Sequence, residues 1–197
     1  FGLSGWVFHA PFISIHPGFN LYAVWERTKN LAGDKYPGTK TFRTLEEMLA
    51  DENIELVIIN TPSVTHYEYA KQAILAGKHL VVEKPFTATV AQAEKLIELA
   101  KKNNVKLSVY QNRRYDSDYK TVKKILDEGL LGKIIDAEIH YDRYTPELSY
   151  KVHKETPTAA VGSVYDLGAH LIDQALQFFG MPVAVSADIA INRPGSQ

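Results

Sequence analysis

The 197 residues are 45% hydrophobic and 23% charged, with a formal net charge of −1 and no cysteine. This is ordinary for a globular chain with a packed core, while the near-zero charge excludes a global field that draws polyanions, so nucleic acid is not expected as a partner. Disulfides and thiolate metal sites are excluded, and no apolar run approaches the roughly 18 residues of a membrane span.

No signal-peptide pattern stands at the start, so the expectation is a cytoplasmic protein with no membrane association. The chain begins at Phe1, without a methionine and next to a Gly2-Leu3-Ser4-Gly5 turn. It stops in the turn-like Asn192-Arg193-Pro194-Gly195 stretch. Both ends read as cut, which predicts a piece of a longer protein.

Leu21 to Trp25 is short, apolar and β-prone, and a weaker strand is expected from Thr39 to Phe42. Thr44 with Glu47 three residues on forms a capping box for a helix whose apolar stripe is Leu45, Met48 and Leu49. Leu56 to Ile59 is a continuous apolar run, as in a parallel strand buried on both faces, and Pro62 ends it. A helix is expected from Thr65 to Leu75, stopped by Gly77. The next strand is His79 to Val82, and Thr89 caps a helix running to about Asn103. Val105 to Tyr110 is a further strand. Strands and helices alternating at this rhythm predict an α/β fold with a doubly wound parallel sheet.

The pattern then changes. Asp118 to Asp127 reads as a helix. From Ile134 to Tyr144 the residues Ile135, Ala137, Ile139 and Tyr141 alternate with Asp136, Glu138, His140 and Asp142. Period-two alternation predicts an antiparallel strand with one wet face. Gly168 to Phe179 is expected to be helical and Val183 to Ile191 to be another strand. The expected division is a dinucleotide-binding domain over 1–112, its first strand missing, and part of an α+β substrate and oligomerisation domain over 113–197.

Three clusters carry candidate chemistry. Gly2-Leu3-Ser4-Gly5 is either an ordinary turn or the tail of a Gly-x-Gly-x-x-Gly motif, in which glycine lets the backbone approach a pyrophosphate at a helix N-terminus. Glu26, after the Leu21–Trp25 strand, stands where a dinucleotide fold places the acidic residue that binds the adenosine ribose. It favours the free 2′-hydroxyl of NAD, whereas the following Arg27 and Lys29 either hold the 2′-phosphate of NADP or, the preferred reading, belong to a solvated loop. NAD is the preferred reading.

Ligands of a doubly wound sheet bind beyond the carboxyl ends of its strands. Those ends carry Asn60-Thr61-Pro62 with His66, Glu83-Lys84-Pro85, and Tyr110 to Arg114. Lys84 follows the apolar Val81-Val82 pair, and two readings stand. Its ammonium donates a hydrogen bond to a substrate oxygen within a proton relay, or it pairs structurally with Glu83 or caps a helix.

Asp166, His170 and Asp173 share one face of a helix at i, i+4 and i+7. A carboxylate one turn away orients a histidine as a base. Zinc binding is the rival, with no third ligand at suitable spacing, and a helix cap is the bland alternative. No metal is expected. Asp173 reads as a structural partner.

Taken in order, Gly2-x-x-Gly5, Phe8-His9-Ala10-Pro11, Asn60-Thr61-Pro62 with Thr65-His66, Ala76-Gly77-Lys78-His79, Glu83-Lys84-Pro85, Asn112-Arg113-Arg114 and Tyr165-Asp166-x-x-x-His170-x-x-Asp173 resemble the Gfo/Idh/MocA oxidoreductases from one end of the chain to the other. The resemblance implies a Rossmann domain holding NAD or NADP. It further implies hydride transfer to or from a carbinol carbon of a sugar, cyclitol or related polyol. It makes Lys84 the lysine beside nicotinamide and substrate, Asp166 the substrate-orienting aspartate and His170 the acid/base. It implies a cis Lys84–Pro85 bond and a homo-oligomer, dimer or tetramer, at full length. Cofactor contacts are then expected from Gly2, Leu3, Ser4, Gly5, Glu26, Arg27, Asn60, Thr61, Pro62, His66, Glu83, Lys84 and Asn112. Arg113, Tyr150, Asp166 and His170 are expected at the substrate, with Arg143, Tyr144 and His153 as further candidates; for Arg113, Tyr150 and these three the alternative is a surface position. Two rivals stand beside it: a redox-neutral, NAD-using glycoside-cleaving relative, and a non-catalytic nucleotide-sensing protein on the same fold, a kind of relative that tends to lose the lysine or histidine this chain retains.

Overall fold

The computed structural model describes residues 1–148 and 158–191. It divides into two compact units, Phe1–Val109 and Tyr110–Gln197. Among the described residues no helix is long and apolar enough to cross a membrane.

The first unit opens with a helical run in which the π-helical turn Gly5–His9 leads into α1 (Ala10–Ile15). Then follow β1 (Ala23–Trp25), α2 (Leu31–Lys35), β2 (Lys40–Phe42), α3 (Leu45–Ala50), β3 (Leu56–Ile59), α4 (His66–Leu75), β4 (His79–Glu83), α5 (Val90–Lys102) and β5 (Leu107–Tyr110). The α/β rhythm is the expected one, with α2 an element the sequence reading left out. The strands form two sheets: β1 and β2 pair in parallel, and β4 lies between β3 and β5, parallel to β3.

Local signals act as expected. Thr44 and Glu47 close a reciprocal capping box, Glu47 N–H donating to Thr44 Oγ1 at 3.2 Å and Thr44 N–H to Glu47 Oε2 at 3.3 Å. Thr89 Oγ1 accepts from Gln92 N–H and starts α5. Gly77, at φ 72°, takes the left-handed conformation that ends α4 without the strain of a Cβ.

The apolar runs bury one face fully and the other partly. Val57 and Ile59 of β3 stand in register with Leu80 and Val82 of β4. All four are buried, whereas Ile58 and Val81 are half-buried and Leu56 is exposed. The buried face joins Ala70, Ala73 and Ile74 of α4, Leu96 and Ala100 of α5, and Leu45, Met48 and Leu49 of α3 in one cluster. Ala23 and Trp25 of β1 and Phe42 of β2 pack against the same cluster, so both sheets share a core. The C-terminal ends of β3 and β4 therefore leave a rigid base side by side.

The second unit contains a 3₁₀ turn (Asn112–Tyr115), α6 (Ser117–Asp127), a π-helical turn (Val164–Gly168) and α7 (Ala169–Phe179). Tyr119 stacks on Phe178 at 5.0 Å between ring centroids. Two expectations fail here. Neither Ile134–Tyr144 nor Val183–Ile191 forms a strand, and among the described residues no antiparallel ladder is present. Ile135, Val185 and Ile189 are 82%, 82% and 73% exposed. Alternation supplies the faces of a strand, but a strand exists only where another backbone takes its N–H and C=O groups.

The capping box generates a stability prediction. Thr44→Ala removes the acceptor for Glu47 N–H and is expected to cost about 1 kcal/mol, read as a lower urea midpoint. An unchanged midpoint would show that the cap contributes nothing.

Candidate active site

In the first unit the candidate residues gather at the carboxyl ends of the strands. Gly5 sits where the first helical run meets the loop after β3. A Cβ there would lie 2.9 Å from Asn60 Nδ2 and 3.2 Å from Phe1 Cδ2, so any larger residue would push these side chains aside. A Cβ on Gly2 would meet no protein atom within 4 Å. Protein packing thus explains Gly5 but leaves Gly2 facing open space.

Glu83, the last residue of β4, binds this turn. Ser4 Oγ donates to Glu83 Oε1 at 2.5 Å, His9 Nε2 donates to the same oxygen at 2.8 Å, and Lys84 N–H donates to Oε2 at 3.2 Å. A carboxylate only accepts, so the proton of this contact belongs on His9 Nε2. Burial alone pushes the Glu83 carboxyl up. The hydrogen bonds from His9, Ser4 and the Lys84 amide outweigh it and hold the group below its ordinary 4.5. The Lys84–Pro85 peptide is cis, as expected.

On the other flank, His66 is 1% exposed. Its Nδ1 lies 2.9 Å from Pro85 O and its Nε2 2.9 Å from Thr61 O. The loop between is closed by Thr61 Oγ1 against Thr65 Oγ1 at 2.7 Å and by Thr65 Oγ1 donating to Pro62 O at 2.7 Å.

Glu26, directly after β1, is 5% exposed and neither of its carboxylate oxygens has a hydrogen-bond partner. Its Oε1 is 3.9 Å from the backbone nitrogen of Phe1, which places it beside the glycine turn. Arg27 and Lys29 are exposed. Arg43 Nη1 donates to Glu26 O at 2.9 Å and to Lys29 O at 2.5 Å, clasping the loop that carries all three. Gly2, Leu3, Ser4, Gly5, Glu26, Asn60, Thr61, Pro62, His66, Glu83 and Lys84 all belong to the first unit.

The second unit holds the other group. His170 lies in the first turn of α7, 6% exposed, and Asp166 in the π-helical turn that leads into it. The Tyr141 ring is 6.4 Å from that of His170. Arg113 donates from Nη1 to Asp116 Oδ2 at 2.8 Å, its Nε is enclosed without a hydrogen-bond partner, and Tyr141 lies within its electrostatic reach. Asp173 takes two hydrogen bonds from Arg114, at 2.8 and 2.5 Å, the structural partner expected of it. Among the described residues no cluster of histidines and carboxylates suits a metal ion. Asn112 opens the 3₁₀ turn of this unit and is half-buried. Arg143 and Tyr144 are exposed, whereas Tyr150 and His153 lie outside the described residues.

Sequence reasoning passed over three contributors. His9 was only a letter in a motif, Arg43 carried no signal, and Tyr141 read as one apolar position of an alternating strand. Each acts through contacts with residues distant in sequence.

Glu83 carries a pH prediction. Its pKa is lower folded than unfolded, so its stabilisation is complete above about pH 4.5 and is lost as pH falls through the lower folded value. Glu83→Gln is expected to melt lower than the wild type at pH 7, with the gap closing below pH 4.5. A gap in Tm that stays constant from pH 7 to 3 would exclude this role.

The chain matches a family model described as an oxidoreductase family with an NAD-binding Rossmann fold over residues 1–111, and the GFO/IDH/MocA C-terminal domain model over 119–197. It is 46% identical over 198 residues to an uncharacterized oxidoreductase of Schizosaccharomyces pombe, covering 98% of this chain and 53% of that protein. It is 42% identical over 198 residues to the scyllo-inositol 2-dehydrogenase (NADP(+)) IolW of Bacillus subtilis, covering 100% and 55%. A crystal structure of an oxidoreductase from Bacteroides fragilis superposes with a TM-score of 0.89 at 50% identity, covering 100% of this chain and 55% of the other. The chain spans about half the length of the curated relatives it matches. With both family models matching in order along its length, the chain belongs to the GFO/IDH/MocA oxidoreductases, whose N-terminal domain is an NAD-binding Rossmann fold.

Proposed function

We propose that the protein oxidises or reduces a carbinol carbon of a sugar, cyclitol or related polyol with a nicotinamide cofactor, and that it prefers NAD. The observation that carries this reading is the Glu26 carboxylate. It is buried, both oxygens are without donors, and it stands beside a glycine turn whose Gly2 faces open space. A buried carboxylate without donors is costly, and two ribose hydroxyls supply what it lacks. The residues present thus fit a dinucleotide. Gly2 to Gly5 would take the diphosphate, Glu26 the ribose, and the Asn60-Thr61-Pro62 loop with Lys84 the nicotinamide end.

The bound nicotinamide would supply a two-electron acceptor or donor. The chain supplies the proton and charge handling. In the oxidative direction His170 takes the substrate hydroxyl proton. Lys84 Nζ stabilises the developing alkoxide, and Asp166 orients the hydroxyl and His170. The cyclitol class is supported by the relative named for scyllo-inositol. The same name carries NADP, so the preference for NAD rests on the charge of Glu26 against a 2′-phosphate, with Arg27 and Lys29 as the opposing cations.

The full-length protein, screened against polyols with both cofactors, is expected to give net reduced nicotinamide. Cofactor cycling with no net reduction would point instead to glycoside cleavage, and NADH binding without turnover of any polyol to a sensor. Lys84→Ala is expected to lower kcat by about 100-fold or more and to weaken NADH affinity, read by fluorescence quenching, much less. Turnover equal to wild type would remove Lys84 from the mechanism. Glu26→Ala is expected to raise the ratio of NADPH to NADH affinity by about tenfold. An unaltered ratio would show that Glu26 does not choose the cofactor.

A further inference from the structure

His66 was expected to touch the cofactor, but its ring is enclosed at 1% exposure and both nitrogens face backbone carbonyls. Thr61 O belongs to the loop after β3, and Pro85 O to the segment after β4. The ring stands just past the last ladder pair, Ile59 with Val82, where the two strands no longer hold each other. A neutral imidazole has one N–H and an imidazolium two, so in either state the ring donates to at least one of these carbonyls.

Lys84 lies between two anchors. On one side the Glu83 carboxylate is held by Ser4 and His9; on the other the Pro85 carbonyl faces His66. Both anchors are one residue away, so the lysine backbone is determined from both flanks. The same imidazole also faces the carbonyl of Thr61, whose loop is closed upon itself through Thr65 and Pro62.

We propose that His66 is a positioning residue: a buried tie that sets Lys84 and the Asn60-Thr61-Pro62 loop in register, rather than a contact to the cofactor. This rests on the role given to Lys84 above. Side chains that act in chemistry must be held to within a fraction of an ångström by groups that do not themselves react. A ring that donates to one of two carbonyls, stands 2.9 Å from the other and is excluded from water meets that requirement, whereas a solvent-facing imidazole does not.

The test uses the full-length protein and a probe that needs no substrate. Reductive methylation with formaldehyde, followed by mass spectrometry, reads the reactivity of each lysine. In His66→Leu, which fills the space but donates nothing, the Lys84 rate is expected to change by about threefold or more, with the exposed Lys71 and Lys95 unaltered. General loosening would move Lys71 and Lys95 as well, and that result would overturn the proposal. So would a Lys84 rate equal to wild type in the folded variant. His66→Gln keeps a donor and is expected to fall between the two; it carries the same comparison if His66→Leu does not fold. With a polyol found by the screen, His66→Leu is expected to lower kcat by about tenfold or more with a small change in cofactor KM. A loss confined to cofactor KM would return His66 to the cofactor site. Failure of the Lys84 role itself is read separately, from Lys84→Ala turnover, and does not depend on the labelling.

Discussion

A carboxylate at the end of a buried strand needs donors, and Glu83 finds them in two directions. Ser4 and His9 reach it from the first helical run, and the Lys84 amide reaches it from its own chain. Because these bonds outweigh the cost of burial, Glu83 stays ionised and binds the glycine turn to the end of β4. Gly5 permits the closeness by having no Cβ to meet Asn60. The turn, the loop after β3 and the Glu83-Lys84-Pro85 segment thus form one assembly, with His66 tying the remaining flank.

The assembly has a firm base because the core of the first unit lies beneath the strands that carry it. Val57, Ile59, Leu80 and Val82 form one face, sealed by the small residues of α4 and the apolar edge of α5. Ala70 and Ala73 let α4 sit close, and close packing of this kind transmits position with little slack. Within this unit Glu26 is the exception to a well-satisfied interior. Its buried oxygens lack hydrogen-bond donors from the protein, a costly arrangement for a carboxylate.

In the second unit order comes from a different source. Arg114 and Asp173 join the 3₁₀ turn to α7 through a two-point ion pair, and Tyr119 stacks on Phe178 between α6 and α7. His170 follows a π-helical turn, as His9 ends one in the first unit. Such wide turns recur at functional sites, where they displace a side chain from the regular helical position.

Much was legible in the residues alone. Apolar runs, capping threonines and Gly77 determined the α/β rhythm of the first unit, because those signals act within a few residues of themselves. Motif order determined the family, and with it Lys84, Asp166 and His170 as the candidate reacting groups. The tertiary structure decided what those signals could not contain. Alternation from 134 to 144 and from 183 to 191 describes faces but not a partner, and neither segment enters a sheet. Glu83 could have paired with anything nearby in sequence, yet its partners Ser4 and His9 lie more than seventy residues away. His66 looked like a ligand-facing histidine until its enclosure between two carbonyls was visible. Local conformation is written in neighbouring residues, whereas burial and the pairing of buried polar groups depend on which distant segments the fold brings together.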